Sequence, residues 1–107
     1  MSVITLADPD AERARLKAVS TEGYGDECGA FDAAMRTYMM RTFEPWFRDG
    51  KALQVGCAHG DQTSLLLQRY TDLTVVEGAR EFIDFTRRRV GDQVTFVEGL
   101  VEDFETD

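Results

Sequence analysis

The chain has 107 residues, 43% of them apolar, which is enough for the core of one domain. Its formal net charge of −8 argues against a nucleic-acid backbone as the main partner, because phosphate binding rests on clustered Lys and Arg. No apolar run approaches the roughly 20 residues of a membrane-spanning helix, and the opening MSVITLADPDAERARLK has no apolar block behind a basic head, so neither a span nor a secretory signal is expected and the predicted location is the cytoplasm.

Asp8-Pro9 predicts an N-cap followed by proline at the first helical position, opening a helix that runs through Ala11 to about Val19. Its apolar content is thin, which predicts a surface helix. The stretch STEGYGDECG has three glycines and no periodicity, and reads as a loop or hinge; with the first helix it forms an N-terminal segment, residues 1–30. Tyr24 in this loop is a candidate cap over a ligand, set against the plainer reading of a surface loop. Cys28 and Cys57 are expected to be free thiols.

From Phe31 the pattern changes. Phe31, Met35, Tyr38, Met39, Thr42, Phe43 and Trp46 recur at three- and four-residue spacing, which predicts one helical stripe packed into the core. Arg36 and Arg41 lie off the stripe and are expected in solvent, and Pro45 caps or kinks the last turn. After the Asp49-Gly50 turn, strands Ala52–Val55, Leu73–Glu77 and Val94–Glu98 alternate with helices from about Asp61 to Tyr70 and from about Ala79 to Val90. Short connections between them predict a parallel sheet of right-handed crossover units. Leu65, Leu66 and Leu67 on one helix, and Phe82, Ile83, Phe85 and Val90 on the other, supply apolar faces toward it. Arg87 to Arg89 fan about 100° apart around their helix and predict a solvated face, not a basic patch.

Ligands in open α/β sheets bind beyond the C-terminal ends of the strands. There KALQVGCAHG places Gly56, Ala58 and Gly60 at alternate positions directly after the first strand, where small side chains let the backbone bend and approach a ligand. Asp61 or Thr63 is expected to cap the next helix. Glu77 ends the second strand seventeen residues after Gly60, and a carboxylate there can accept from the vicinal hydroxyls of a ribose. A dinucleotide fingerprint would need glycine or alanine at the sixth position, which is Asp61, and that carboxylate would repel a pyrophosphate. The spacing therefore suits a nucleoside without phosphate. One histidine, His59, and no paired cysteine motif leave no ligand set for a metal, and Glu98, Glu102, Asp103 and Glu105 read as a solvated acidic end.

On these residues the chain resembles the class I S-adenosylmethionine-dependent methyltransferases. ALQVGCAHGDQT is similar to their first motif, LTVVEGA to their second, and VTFVEGLVEDF to their third strand and the turn on the adenine side; RTYMMRTFEPWFRDGKALQVGC is similar to the lead-in helix of a bacterial branch acting on small molecules. The resemblance covers Phe31 to Phe104 and implies that residues 31–107 are the N-terminal half of an S-adenosylmethionine-binding domain. The implied fold class is α/β: a partial Rossmann-like methyltransferase fold with three parallel strands in the order 3-2-1, flanking helices and an N-terminal helical segment, strands 4 to 7 being absent. It further implies that Gln54, Gly56, Cys57, Ala58 and Gly60 line the methionine and ribose end of the cofactor and that Glu77 holds the ribose. Gly78 and Ala79 would flank adenine, and Leu100, Val101 and Glu102 would form the turn at its edge. Three positions depart from the family: Gln54 replaces an acid, Ala58 a glycine and Leu100 a common Asp.

Two functions follow. In the first, the chain is the N-terminal part of a methyltransferase that aligns the sulfonium methyl with a small-molecule acceptor, with no general base identifiable here. In the second, it is a non-catalytic α/β module that binds a nucleoside or pairs with a partner chain. Because the sequence ends where a fourth strand is expected, the first strand would present an open edge, inviting a homodimer or a C-terminal half.

Overall fold

The computed structural model describes residues 8–21 and 29–105. Tyr24 and Cys28 lie outside the described residues. Helix α1 (Pro9–Thr21) starts where the Asp-Pro pair predicts: the Asp8 carboxylate accepts from the Asp10 N–H at 3.1 Å, and the Asp8 carbonyl from the Glu12 N–H at 2.9 Å. Helix α2 (Gly29–Phe43) passes into a 3₁₀ turn, Glu44–Trp46, at Pro45, which has no N–H to continue the α-helical ladder. Strand β1 (Lys51–Val55), helix α3 (Asp61–Leu66), strand β2 (Asp72–Glu77), helix α4 (Arg80–Val90) and strand β3 (Val94–Glu98) follow.

The sheet is parallel with β2 in the middle, so β3-β2-β1 is the expected order. Ala52, Leu73 and Val94 stand in register across it, as do Gln54, Val75 and Phe96. Successive side chains on a strand point to opposite faces, so these two rows share one face. Leu73 and Val75 on that face pack with Phe82 and Val90 of α4 and with Val94 and Cys57, forming the core. Each fully buried aliphatic side chain contributes about 1.5–3 kcal/mol of hydrophobic stabilisation. The opposite face is less covered: Leu53 and Val55 of β1 are 47% and 56% exposed, and β1 is the outer strand of the sheet.

Three expectations are corrected. The α2 stripe is not core: Phe31 and Trp46 are 70% and 75% exposed, and Met35, Tyr38, Met39 and Phe43 are also exposed. At 100° per residue, Ala33, Arg36, Thr37 and Met40 lie on the other side of α2, and this mixed face, with Met40 its one large apolar side chain, faces α3. Phe85 likewise turns from the sheet and packs edge-on to the His59 ring at 4.9 Å, with Arg88 over its other side. Finally, neither Asp61 nor Thr63 caps α3. Gly60 is the N-cap without a side-chain bond, because the Asp61 carboxylate pairs with Arg89 and the Thr63 hydroxyl points back to the sheet. Helix α3 itself ends at Leu66, and a hydrogen-bonded turn carries the chain to the buried Tyr70. Arg87, Arg88 and Arg89 do diverge, reaching Phe96, Phe85 and Asp61 respectively.

Candidate functional site

The site is built by the two turns that follow β1 and β2. The Gly56 N–H donates to the Val76 carbonyl at 2.8 Å, extending the parallel pairing one residue beyond β1. The chain then turns through Gly56, Ala58 and Gly60, whose φ values of 80°, 46° and 87° are all left-handed, and the Gly60 N–H closes on the Cys57 carbonyl at 2.8 Å. The alternation of small residues thus serves the backbone first. At Ala58 the left-handed conformation costs about 1–2 kcal/mol that glycine would avoid, offset in part by the Thr86 hydroxyl, which donates to the Ala58 carbonyl at 3.1 Å. Gly60 is excluded from substitution twice, by φ and by Thr86, whose Cγ2 would stand 2.8 Å from a Cβ there.

Glu77 joins the turns. It is buried; Oε1 accepts from the Cys57 N–H and Oε2 from the Ala79 N–H, both at 3.0 Å. Each oxygen keeps further lone-pair capacity for a ligand hydroxyl. Two cavities, of about 390 and 370 Å³, meet at Gly56, Glu77 and Leu16. The larger is floored by Gly78, Leu100, Val101 and Glu102 and bounded by Glu12 of α1. The smaller is lined by Cys57, Ala58 and Phe82, with Arg15 of α1 and Arg36 of α2 closing it from above. Helix α1 is therefore no bystander: Leu16 packs on the core and lies so close to Gly78 that a Cβ at 78 would stand 2.3 Å from its Cδ1. Arg13 pins the same helix to Asp103 at 2.9 Å.

The structure thus brings Gly56, Cys57, Ala58, Glu77, Gly78, Leu100, Val101 and Glu102 to the two cavities. Gln54 and Gly60 line neither. Gln54 is buried, and its Oε1 accepts from the Thr63 hydroxyl at 2.7 Å; Gly60 lies behind the turn against Thr86. Burial pushes the Cys57 thiol up to about 11, with Glu77 nearby adding to the effect against a hydrogen bond from Thr86. A thiol so held is neutral at physiological pH and is no nucleophile. The His59 ring packs edge-on against Phe82 and Phe85 at 5.2 and 4.9 Å. Among the described residues, no group of three or more His, Cys, Asp or Glu is placed to hold a metal ion, and no helix is long and apolar enough to cross a membrane.

Sequence reasoning missed Leu16, Arg15, Arg36 and Phe82. For Arg36 the signal was present: Asp32 stands four residues earlier, and the two form an ion pair along the flank of the apolar stripe.

No protein-family model matches the sequence, and no curated protein matches it. Solved structures do. Haemonchus contortus phosphoethanolamine N-methyltransferase 1, in complex with phosphoethanolamine and S-adenosylhomocysteine, aligns over 94% of this chain and 24% of its own, with a TM-score of 0.72 at 12% identity. Burkholderia thailandensis 1,6-didemethyltoxoflavin-N1-methyltransferase, with bound 1,6-didemethyltoxoflavin and S-adenosylhomocysteine, aligns over 99% of this chain and 48% of its own, with a TM-score of 0.57 at 24% identity. An S-adenosylmethionine-bound amino pentose methyltransferase from Micromonospora echinaspora aligns over 98% and 40%, with a TM-score of 0.53 at 21% identity. The chain spans between a quarter and a half of the length of these structures. At these identities the likeness establishes the fold, which is that of the class I methyltransferases.

Proposed function

We propose that the chain binds S-adenosylmethionine and is the N-terminal part of a cytoplasmic methyltransferase acting on a small-molecule acceptor. The observation that carries this reading is Glu77, a buried carboxylate held by the N–H groups of both turns at the meeting point of two cavities, on this fold. Its free lone pairs suit a cis-diol. Gly78, Leu100, Val101 and Glu102 offer a flat, partly apolar bed for adenine, with Glu102 available to accept from the exocyclic amine. The turn at Gly56 to Ala58 receives the amino-acid end. Glu12, Glu77 and Glu102 around the larger cavity disfavour a phosphorylated nucleotide and fit an uncharged nucleoside.

When bound, the cofactor supplies a methyl group made electrophilic by the sulfonium. The residues of this chain bind and orient it, and α1, anchored by Leu16 and Arg13, covers it from water. We assign no general base among the described residues; in this reading the acceptor half of the reaction belongs to other parts of a longer protein.

A second reading, a non-catalytic module that pairs with another chain, draws on one observation: the outer strand β1 with Leu53 and Val55 exposed. Such an edge is a template for a homodimer or for a C-terminal half. Light scattering on the purified chain tests it, and a monomer at high concentration counts against it. Titration calorimetry with S-adenosylmethionine and S-adenosylhomocysteine tests the first reading. Binding that Glu77→Gln weakens by about tenfold or more is expected; absence of heat from a chain shown by circular dichroism to be folded defeats it.

A further inference from the structure

The bed proposed for adenine is already covered from within the chain. Gly78 has no side chain of its own, and the tip of Leu16 fills the place of one: a Cβ at 78 would stand 2.3 Å from Leu16 Cδ1 and 3.5 Å from Leu100 Cδ2. Resting on the S-adenosylmethionine reading, we infer that Leu16 is an internal plug, which occupies the bed in the free chain, competes with the adenine ring and withdraws from Gly78 when the cofactor binds.

A ring lying flat on Gly78 needs its carbons at van der Waals distance from the glycine, about 3.5–4 Å. The Leu16 methyl stands in that layer, so methyl and ring exclude each other. The open volume of about 390 Å³ lies beside this contact and is bounded on the α1 side by Glu12 and Leu16. A ligand entering there reaches the bed only by pushing Leu16 off it. Backbone conformation does not account for the glycine, because Gly78 is not one of the left-handed glycines and its φ would accept a side chain. What a side chain there would meet is Leu16.

The plug is held in a way that lets it leave. From Pro9 to Ala18, Glu12 and Leu16 are the α1 side chains with part of their surface buried, and the others are exposed. Leu16 packs against the outside of the core cluster, not within it. The Arg13–Asp103 pair has side chains 45% and 56% exposed, and exposed pairs contribute little to stability. Together with the contact between α1 and α4 it serves as a pivot, about which Leu16 lifts. Glu12 is engaged by Arg15 of its own helix, so it moves with α1. Raised by the thickness of a ring, α1 lies over the cofactor instead of on the bed. A seat that is filled in the free chain lowers the apparent affinity by the fraction of molecules in which it is empty.

Calorimetry and methyl NMR on the 107-residue chain test this. Removing the plug should strengthen binding: Leu16→Ala is expected to raise the affinity for S-adenosylhomocysteine about fivefold. The gain should be the same for 5′-methylthioadenosine, which keeps the ring and lacks the amino-acid end. A helix that only helps to hold the ligand gives the reverse, so unchanged or weakened binding by Leu16→Ala overturns the inference, as does a gain that the second ligand does not share. The other readout needs no substitution. In the free chain a nuclear Overhauser contact should join the Leu16 methyl to the α-protons of Gly78, and saturation with S-adenosylhomocysteine should abolish it. A contact that is missing from the free chain, or that persists at saturation, overturns the inference and leaves the cofactor reading standing. Folded wild-type and Leu16→Ala chains that both fail to bind S-adenosylhomocysteine overturn the cofactor reading, and the inference with it.

Discussion

Helices α2 and α4 each carry several large apolar residues, and these meet opposite fates. Helix α4 lays Phe82, Ile83 and Val90 against the sheet, and its Thr86 hydroxyl reaches the turn after β1. Helix α2 turns its apolar stripe away and packs on α3 through the face that carries Ala33, Arg36 and Thr37. Periodicity therefore shows that a helix has a face, while the neighbouring surface decides which face is used. In α2 the polar side is the one that serves the candidate site, since it carries Arg36 to the smaller cavity.

This contrast is best broken by removing one side chain from each helix. Ile83→Ala is expected to lower stability by about 3 kcal/mol in urea unfolding, because it opens a cavity between α4 and the sheet. Phe31→Ala on α2 should change it by no more than about 0.5 kcal/mol. Comparable losses would mean that the α2 stripe is covered in solution. The next effect tests the group that α4 buries. The Cys57 thiol is neutral in the fold with its pKa pushed up to about 11, against about 9 when exposed, so the unfolded chain loses this proton first as pH rises. Its contribution is complete below pH 9 and is lost through pH 11, a fall of roughly 2 kcal/mol. Cys57→Ala should flatten that part of the stability profile, and an unchanged slope would show that the thiol is not so buried. Smaller still is Ala58→Gly, which relieves the left-handed strain beside Thr86 and should raise stability by about 1 kcal/mol; a loss would indicate that the Ala58 methyl packs usefully.

What the sequence made legible was local. The strand ends, the Asp8-Pro9 helix start, the small residues at 56, 58 and 60 and the carboxylate at 77 all follow from short-range pattern or backbone conformation, and the three-strand order follows from short crossovers. What stayed hidden depends on a partner far along the chain. Gln54 could be placed at a strand end, but not in the hold of Thr63, nine residues on. Arg36 looked like a solvated cation because its role depends on how α2 rolls against α3. Leu16 belongs to a helix too polar to suggest a core contact, yet with the Arg13–Asp103 pair it sets α1 across both cavities.

The hydrogen bonds of Glu77 also bear on motion. Because the N–H groups of Cys57 and Ala79 bind the same carboxylate, the turn after β1 cannot open without loosening one end of a clamp that also holds the turn after β2. The two turns should therefore breathe together. In amide hydrogen exchange the protection of Cys57 and Ala79 should rise and fall in step, and replacing Glu77 should release both at once. A single side chain then couples the opening of two turns that are distant in sequence.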